Sequence, residues 1–454
     1  MTEKIIVVGC THAGIAAVNE ILKYHPQADV TVFERHDKIS YLSCATYLTL
    51  GKTISNLDEA MYADPDYYRA QGIDMRLRHD VIDINVKEHT VFAQDLETKE
   101  FTTESFDKLI MATGSLTSIP TIQGVENPKV KLCKTYEEAR DLCDEAQNDE
   151  RIAIIGGGYI GVELAEGYNK SNHEVILFHK KETLLDRHIE TEFADKITNL
   201  LEDKGIQVKT GTIVKSFEDG ANDDTLIVKT ADEAFEVDMA VICTGLLHQA
   251  DLLQGKVDQL TNGAIVVNDY METSNPDIFA AGDAASVKHN GLQTDVYMPL
   301  ASQAVRQGAL AGINVLDKRL RSIGTQSTTG MLIFGRTLAC SGVTLAMALD
   351  AGINATKVAY KGSYRPDFMP NAHKVEIELV YDRNSRKVLG VQLWSKHDVS
   401  QAADTISALM DYHGTIDELS FIDMLFSPNF DQPFNYLNLV GQLAVKQENG
   451  YLRT

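Results

Sequence analysis

Ile5-Ile6-Val7-Val8-Gly9-Cys10-Thr11-His12-Ala13-Gly14 is an apolar strand that runs into a glycine-bounded turn and then a helix. An acid, Glu34, closes the next apolar strand, Val30 to Phe33. The pattern returns at Ile152-Ala153-Ile154-Ile155-Gly156-Gly157-Gly158-Tyr159-Ile160-Gly161, followed by the strand Glu174 to Phe178. Strand, tight turn, helix and second strand is the order a dinucleotide needs. The glycines let the backbone approach a pyrophosphate, and the helix N-terminus offers free N–H groups and a positive dipole. One such turn is a weak signal. Two in tandem imply two dinucleotides in one chain, and a flavin meeting a nicotinamide is the usual reason.

The surrounding sequence supports a duplication. Residues 1–119 read as a βαβ unit, a long polar stretch, and a strand Lys108 to Met111 running into Ala112-Thr113-Gly114. Residues 120–245 repeat this, ending at Ala240 to Cys243 and Thr244-Gly245. Next, Ile278-Phe279-Ala280-Ala281-Gly282-Asp283 delivers an aspartate at a glycine turn. Pro299 to Gly312 then reads as a helix with small residues suited to close packing. From about Ser322 the texture changes. Val375 to Tyr381 alternates apolar and polar as a half-exposed antiparallel strand does, and Val388 to Trp394 is its expected partner. Helical patterns follow at 400–413 and 431–447, so the chain ends in an α+β domain. The expected class is α/β: two Rossmann-like dinucleotide-binding domains and a smaller third domain.

At 454 residues, two to three domains are expected. With 44% hydrophobic and 24% charged residues, the composition is that of a globular protein. No apolar run reaches the roughly 18 residues of a membrane span. The first strand begins almost at once, which leaves no room for a signal peptide, and a cytoplasmic protein is expected. A net charge of −23 argues against nucleic acid and anionic membranes as partners. Six cysteines (10, 44, 133, 143, 243, 340) show neither a CxxC nor zinc spacing, so no metal is expected.

These residues resemble the FAD-dependent pyridine nucleotide-disulfide reductase superfamily, and within it the single-cysteine branch. The carriers are the Gly-Cys-Thr-His-Ala-Gly turn, Ser40-Tyr41-Leu42-Ser43-Cys44, the Gly-Gly-Gly-Tyr-Ile-Gly turn and Asn275 to Asp283. Tyr364 to Pro370 and Phe430 to Asn438 join them, and the whole looks closest to the water-forming NADH oxidases. The resemblance implies an FAD-binding domain over 1–119 and 246–321, an NAD(P)H-binding domain over 120–245 and a C-terminal dimerisation domain over 322–454. It further implies a homodimer or a dimer of dimers, with Phe430 to Asn438 reaching the partner's flavin. The implied activity is an FAD-dependent NAD(P)H oxidase that turns dioxygen into water. An NAD(P)H peroxidase, then a coenzyme A-disulfide reductase, are the alternatives, and an electron carrier to a protein partner is one of a different class.

On that resemblance FAD is held by Gly9, Thr11, His12, Ala13, Gly14, Glu34, Arg35, Ser43, Cys44, Val81, Thr113, Gly114, Lys134, Gly282, Asp283, Leu300 and Ala301. Glu34 takes a ribose hydroxyl and Asp283 the ribityl chain. The nicotinamide nucleotide falls to Gly156, Gly158, Tyr159, Ile160, Gly161, Glu163, His179, Lys180, Lys181, His188 and Gly245. Tyr159 covers the flavin until displaced, and Glu163 with Lys134 resembles an ion pair at its reactive edge.

Cys44 carries the chemistry. It precedes Ala45 to Leu50, a stretch with a helical pattern, and a cysteine near a helix N-terminus has its thiolate favoured. A thiolate attacks peroxide to give a sulfenic acid, and with no second cysteine nearby an internal disulfide is excluded. The other reading is a buried inert thiol. Ala45 stands where relatives usually have glycine. In relatives a histidine matching His12 lies near this cysteine as acid and base; capping the turn is the alternative. At the end of the Glu174 to Phe178 strand, an NAD-preferring domain puts a carboxylate for the 2′-hydroxyl. Here His179-Lys180-Lys181 stands instead, with no carboxylate until Glu182, and Arg187 and His188 follow. That cluster suits a 2′-phosphate, so NADPH is expected alongside NADH or ahead of it. A solvated basic turn is the bland reading.

Overall fold

The computed structural model describes residues 2–451 apart from 148–149 and 222–223. Two five-stranded parallel sheets carry the two glycine turns. The first runs in the order Ile278–Ala280, Lys108–Met111, Lys4–Val8, Asp29–Glu34 and Asp74–Leu77. The second runs Gln207–Lys209, Glu174–Phe178, Arg151–Ile155, Met239–Ile242 and Val130–Lys131. In both sheets the strand before the glycine turn is central, and its apolar residues are buried on both faces, as a parallel sheet covered by helices requires. Each turn therefore opens at the carboxyl edge of its sheet, where ligands of doubly wound folds bind.

The first helix, His12–Tyr24, packs against Ala301–Asn314. A Cβ on Gly308 would lie 2.1 Å from the Ala13 carbonyl oxygen, and one on Gly312 would lie 2.3 Å from that of Ala17. The small residues expected in this helix are what let the two backbones touch.

The long polar stretch expected after the first βαβ unit is not loop. It forms a three-stranded antiparallel ribbon, His79–Asn85, Thr90–Asp95 and Phe101–Ser105. Ser216–Asp219, Leu226–Lys229 and Ala234–Val237 make a matching ribbon in the second half, so the duplication extends to this element.

The C-terminal part is a five-stranded antiparallel sheet in the order Thr329–Ile333, Arg336–Gly342, Val388–Ser395, Lys374–Asp382 and Ala355–Ser363. Helices Ser400–Asp411 and Tyr436–Glu448 lie on one face. The last begins later than its sequence pattern, because Asn435 caps it by accepting from the Leu437 N–H at 2.7 Å. Lys374–Asp382 is buried on both sides rather than half-exposed. Its polar face meets the Thr191–Asp203 segment through Lys196–Glu376 (3.1 Å). There too Lys357 joins Glu378, Glu190 and Glu192 at 2.8, 3.2 and 3.0 Å. Alternation identified a polar face, and ion pairs let that face be covered. Among the described residues no helix is long and apolar enough to cross a membrane.

Candidate functional site

At the first turn Gly9 has φ +94°, and a Cβ there would stand 2.2 Å from the Ala112 carbonyl oxygen. Only glycine fits between these strands. Thr11 caps the helix without a side-chain hydrogen bond, and the first helical turn has no acid. The N–H groups and positive end of this helix are thus left for an anion. Glu34 is buried, its two oxygens accepting from the N–H groups of Cys10 (2.7 Å) and His36 (3.0 Å). Burial pushes its pKa up, against those bonds and the neighbouring His36 and Arg35. Arg35 pairs with Asp80 at 3.1 Å, close to Val81, and reaches Gln249 at 3.2 Å. Thr113 donates to the Gln249 carbonyl oxygen, beside Gly114. Opposite lies Asp283, after Gly282, whose N–H donates to Gln307 at 3.0 Å. Leu300 and Ala301 open the helix that contacts this turn.

Cys44 sits on a single tight turn, Ser43–Ala45, ahead of the five-residue helix Thr46–Leu50. Among the described residues it is the one exposed cysteine. Its thiol is pushed up rather than down, first by desolvation and then by Glu163, with its own N–H and Lys134 opposing. The favoured thiolate expected at this helix start is therefore not what the protein alone produces. So short a helix contributes little dipole, and burial, followed by the neighbouring Glu163, outweighs it.

Glu163 and Lys134 are not paired. Lys134 Nζ lies 3.5 Å from Asp283 Oδ2, which also accepts from Ser115 Oγ at 2.6 Å. Glu163 has its pKa raised to about 8, mainly by burial and then by Glu166. His12 is lowered by burial and by Lys134, against Asp283. One ammonium thus acts on both the thiol and the imidazole. His12 Nδ1 lies 2.7 Å from Tyr62 Oη, their rings within 5° of parallel. Tyr62 is set in turn by Ser40, whose Oγ accepts from the N–H groups of Tyr62 (3.1 Å) and Ala63 (2.9 Å).

At the second turn, a Cβ on Gly156 would lie 2.3 Å from the Cys243 carbonyl oxygen, and one on Gly161 would lie 1.9 Å from that of Gly156. Gly158 caps Tyr159–Lys170, again with no acid in the first turn, which includes Ile160. Tyr159 leans on His188 with ring centroids 5.1 Å apart, and Gly245 ends the adjoining strand's turn. His179 is buried and accepts from the Gly157 N–H at Nδ1, 3.0 Å away, while its Nε2 meets Asp186 Oδ1 at 3.1 Å. Lys180 and Lys181 are exposed, with no ion-pair partner among the described residues. Sequence reasoning missed Tyr62, Ser115 and Asp186. Each reaches the site from a loop or short strand, and no motif marks it.

Both turns fit a dinucleotide: each has a glycine forced by close approach and a helix start with no acid or side-chain cap. Two such cradles flanking one accessible thiol define a flavin- and nicotinamide-linked oxidoreductase. Residues 3–308 match the pyridine nucleotide-disulphide oxidoreductase model and 329–435 its dimerisation domain. The chain belongs to the pyridine nucleotide-disulphide oxidoreductase family and is an FAD-dependent enzyme. It is 42% identical over 443 residues to an NADH oxidase of Enterococcus faecalis, covering 98% of this chain and 99% of the relative. The water-forming NADH oxidase from Lactobacillus brevis, solved bound to NADH, superposes with a TM-score of 0.97 at 43% identity, with full coverage of both chains. An engineered water-forming NADPH oxidase derived from it, bound to NADPH, gives the same score and identity over 99% of this chain and all of its own.

Proposed function

We propose that the chain is an NAD(P)H oxidase that reduces dioxygen to water with Cys44 as its peroxide-reducing thiol. The observation that carries this reading is Cys44, the one exposed cysteine among the described residues, set on the turn Ser43–Ala45. The relatives at 42–43% identity, among them a water-forming oxidase, support it. The flavin, when bound, takes hydride from the nicotinamide and passes two electrons to dioxygen.

This chain's residues handle the hydrogen peroxide that results. Burial pushes the Cys44 thiol up and the His12 imidazole down, which favours the neutral form of each. As peroxide enters, the proton moves from Cys44 Sγ to His12. The thiolate attacks one oxygen, an S–O bond forms, the O–O bond breaks, and His12 returns the proton to the departing oxygen as water. Cys44 is left as a sulfenic acid. A second NAD(P)H, with one proton, restores the thiol and releases the second water. Overall, two NAD(P)H, two protons and one dioxygen give two NAD(P)⁺ and two waters. Tyr62 holds the imidazole in place, and the Lys180 and Lys181 ammoniums attract a 2′-phosphate. The match of 329–435 to the family's dimerisation domain supports a homodimer or a dimer of dimers as the working unit.

Oxygen uptake with NADH and with NADPH, followed by a peroxide assay, tests donor, acceptor and product together. Two nicotinamides consumed per dioxygen, with no peroxide left, is the expected result. Cys44→Ser is expected to consume one per dioxygen and to release peroxide. Unchanged stoichiometry in that variant would remove the cysteine cycle.

A further inference from the structure

The end of the Glu174–Phe178 strand bears no carboxylate in sequence, yet the fold brings one there. Leu184 and Leu185 are fully buried, and the Leu185 N–H donates to the Gly157 carbonyl oxygen at 2.9 Å. These anchors fold residues 180–189 back onto the glycine turn. Leu184 sits so close that a Cβ on Gly157 would stand 2.3 Å from its Cδ2. The next residue, Asp186, is thereby set over His179, 3.1 Å from Nε2.

The tautomer follows from the donors. A backbone N–H can only donate, so the bond from Gly157 makes His179 Nδ1 the acceptor and puts the ring hydrogen on Nε2. His179 Nε2–H then donates to Asp186 Oδ1. Both ring nitrogens are thus committed, Nδ1 to Gly157 and Nε2 to Asp186, which fixes the ring's orientation. Among the described residues Asp186 bonds through Oδ1 to His179, and no hydrogen bond or ion pair to its Oδ2 is seen. The exposed ammoniums of Lys180 and Lys181 follow directly after His179.

We propose that Asp186, positioned by His179, reads the adenosine 2′ position of the nicotinamide nucleotide as the displaced equivalent of the strand-end carboxylate. It accepts from the 2′-hydroxyl of NADH and repels the 2′-phosphate of NADPH, which Lys180 and Lys181 attract. One loop thus carries a reader for each donor, and the enzyme takes both. The inference rests on the dehydrogenase half of the proposed function and is indifferent to whether oxygen is the acceptor.

The test is anaerobic stopped-flow bleaching of the bound flavin by NADH and by NADPH in the holoenzyme, over a range of nucleotide concentrations. Asp186→Asn keeps an oxygen for His179 and removes the charge. It is expected to tighten half-saturation by NADPH about tenfold and to weaken that by NADH about threefold. Lys180→Ala with Lys181→Ala is expected to weaken NADPH about tenfold and leave NADH within about twofold. The flavin absorbance of each variant reports folding before any nucleotide is added. A donor ratio in Asp186→Asn within about twofold of the parent would overturn the proposal. Bleaching that is normal with either donor but followed by no oxygen uptake would sink the oxidase reading and leave this one standing.

Discussion

Tyr62 shows how a single bond can decide what a histidine does. With its Oη 2.7 Å from His12 Nδ1, the phenol limits the ring to orientations that leave Nε2 free for chemistry. Tyr62→Phe deletes one hydrogen bond, about 1 kcal/mol, equivalent to roughly a fivefold change in a populated orientation. Flavin reduction should be unaffected, while peroxide escapes in a fraction of turnovers. Peroxide release equal to the parent's would show that the bond does not matter for turnover. A second residue-scale expectation concerns the thiol. Glu163 titrates at about 8, so above that pH its charge raises the Cys44 pKa further. Glu163→Gln removes that charge and should shift the pH midpoint of Cys44 alkylation downward, read by iodoacetamide labelling and mass mapping between pH 7 and 10. An upward shift, or none, would mean that the coupling is not felt at the sulfur.

At the scale of elements, the sequence was most legible where structure is local. The strands Lys4–Val8 and Arg151–Ile155 and the turns after them could be read because apolar runs and close-contact glycines act within a dozen residues. The ribbons at His79–Ser105 and Ser216–Val237 were not, since half-polar strands with charged edges look like loops. Tyr62 and Asp186 escaped for another reason. Their partners lie 50 and 7 residues away, and only the path of the intervening loop brings them together. The small-residue helix Ala301–Asn314 was legible, and its consequence can be measured. Gly308→Ala would press a methyl against the Ala13 carbonyl oxygen and prise apart the two helices under the flavin cradle. Overpacking of this kind costs about 1–3 kcal/mol. Calorimetry should show a lower melting temperature, and the purified protein should carry less FAD per chain. A variant that melts with the parent and retains its FAD would show that the helices adjust freely.

For the whole molecule, the outstanding feature is apolar surface that one copy does not cover. Phe421, Leu425 and Phe430 are 73%, 68% and 65% exposed, Phe434 stacks edge-on against Phe421, and Phe426 is half exposed. All lie within 421–434, directly before the helix Tyr436–Glu448, in the part that matches the family's dimerisation domain at 329–435. A chain with net charge −23 is well protected from non-specific association, so a run of exposed apolar side chains within one short segment signals a specific surface. A second copy related by a twofold axis would bury the same segment from both sides. Phe430→Asp places a charge within that exposed segment. An unpaired buried charge costs several kcal/mol, enough to move a dimer constant by about a thousandfold. Light scattering at micromolar concentration should find dimers or larger assemblies for the parent and monomers for the variant. If the tail also completes the partner's flavin site, the monomer should lose oxidase turnover while still folding. Turnover kept by a proven monomer would confine the patch to assembly alone.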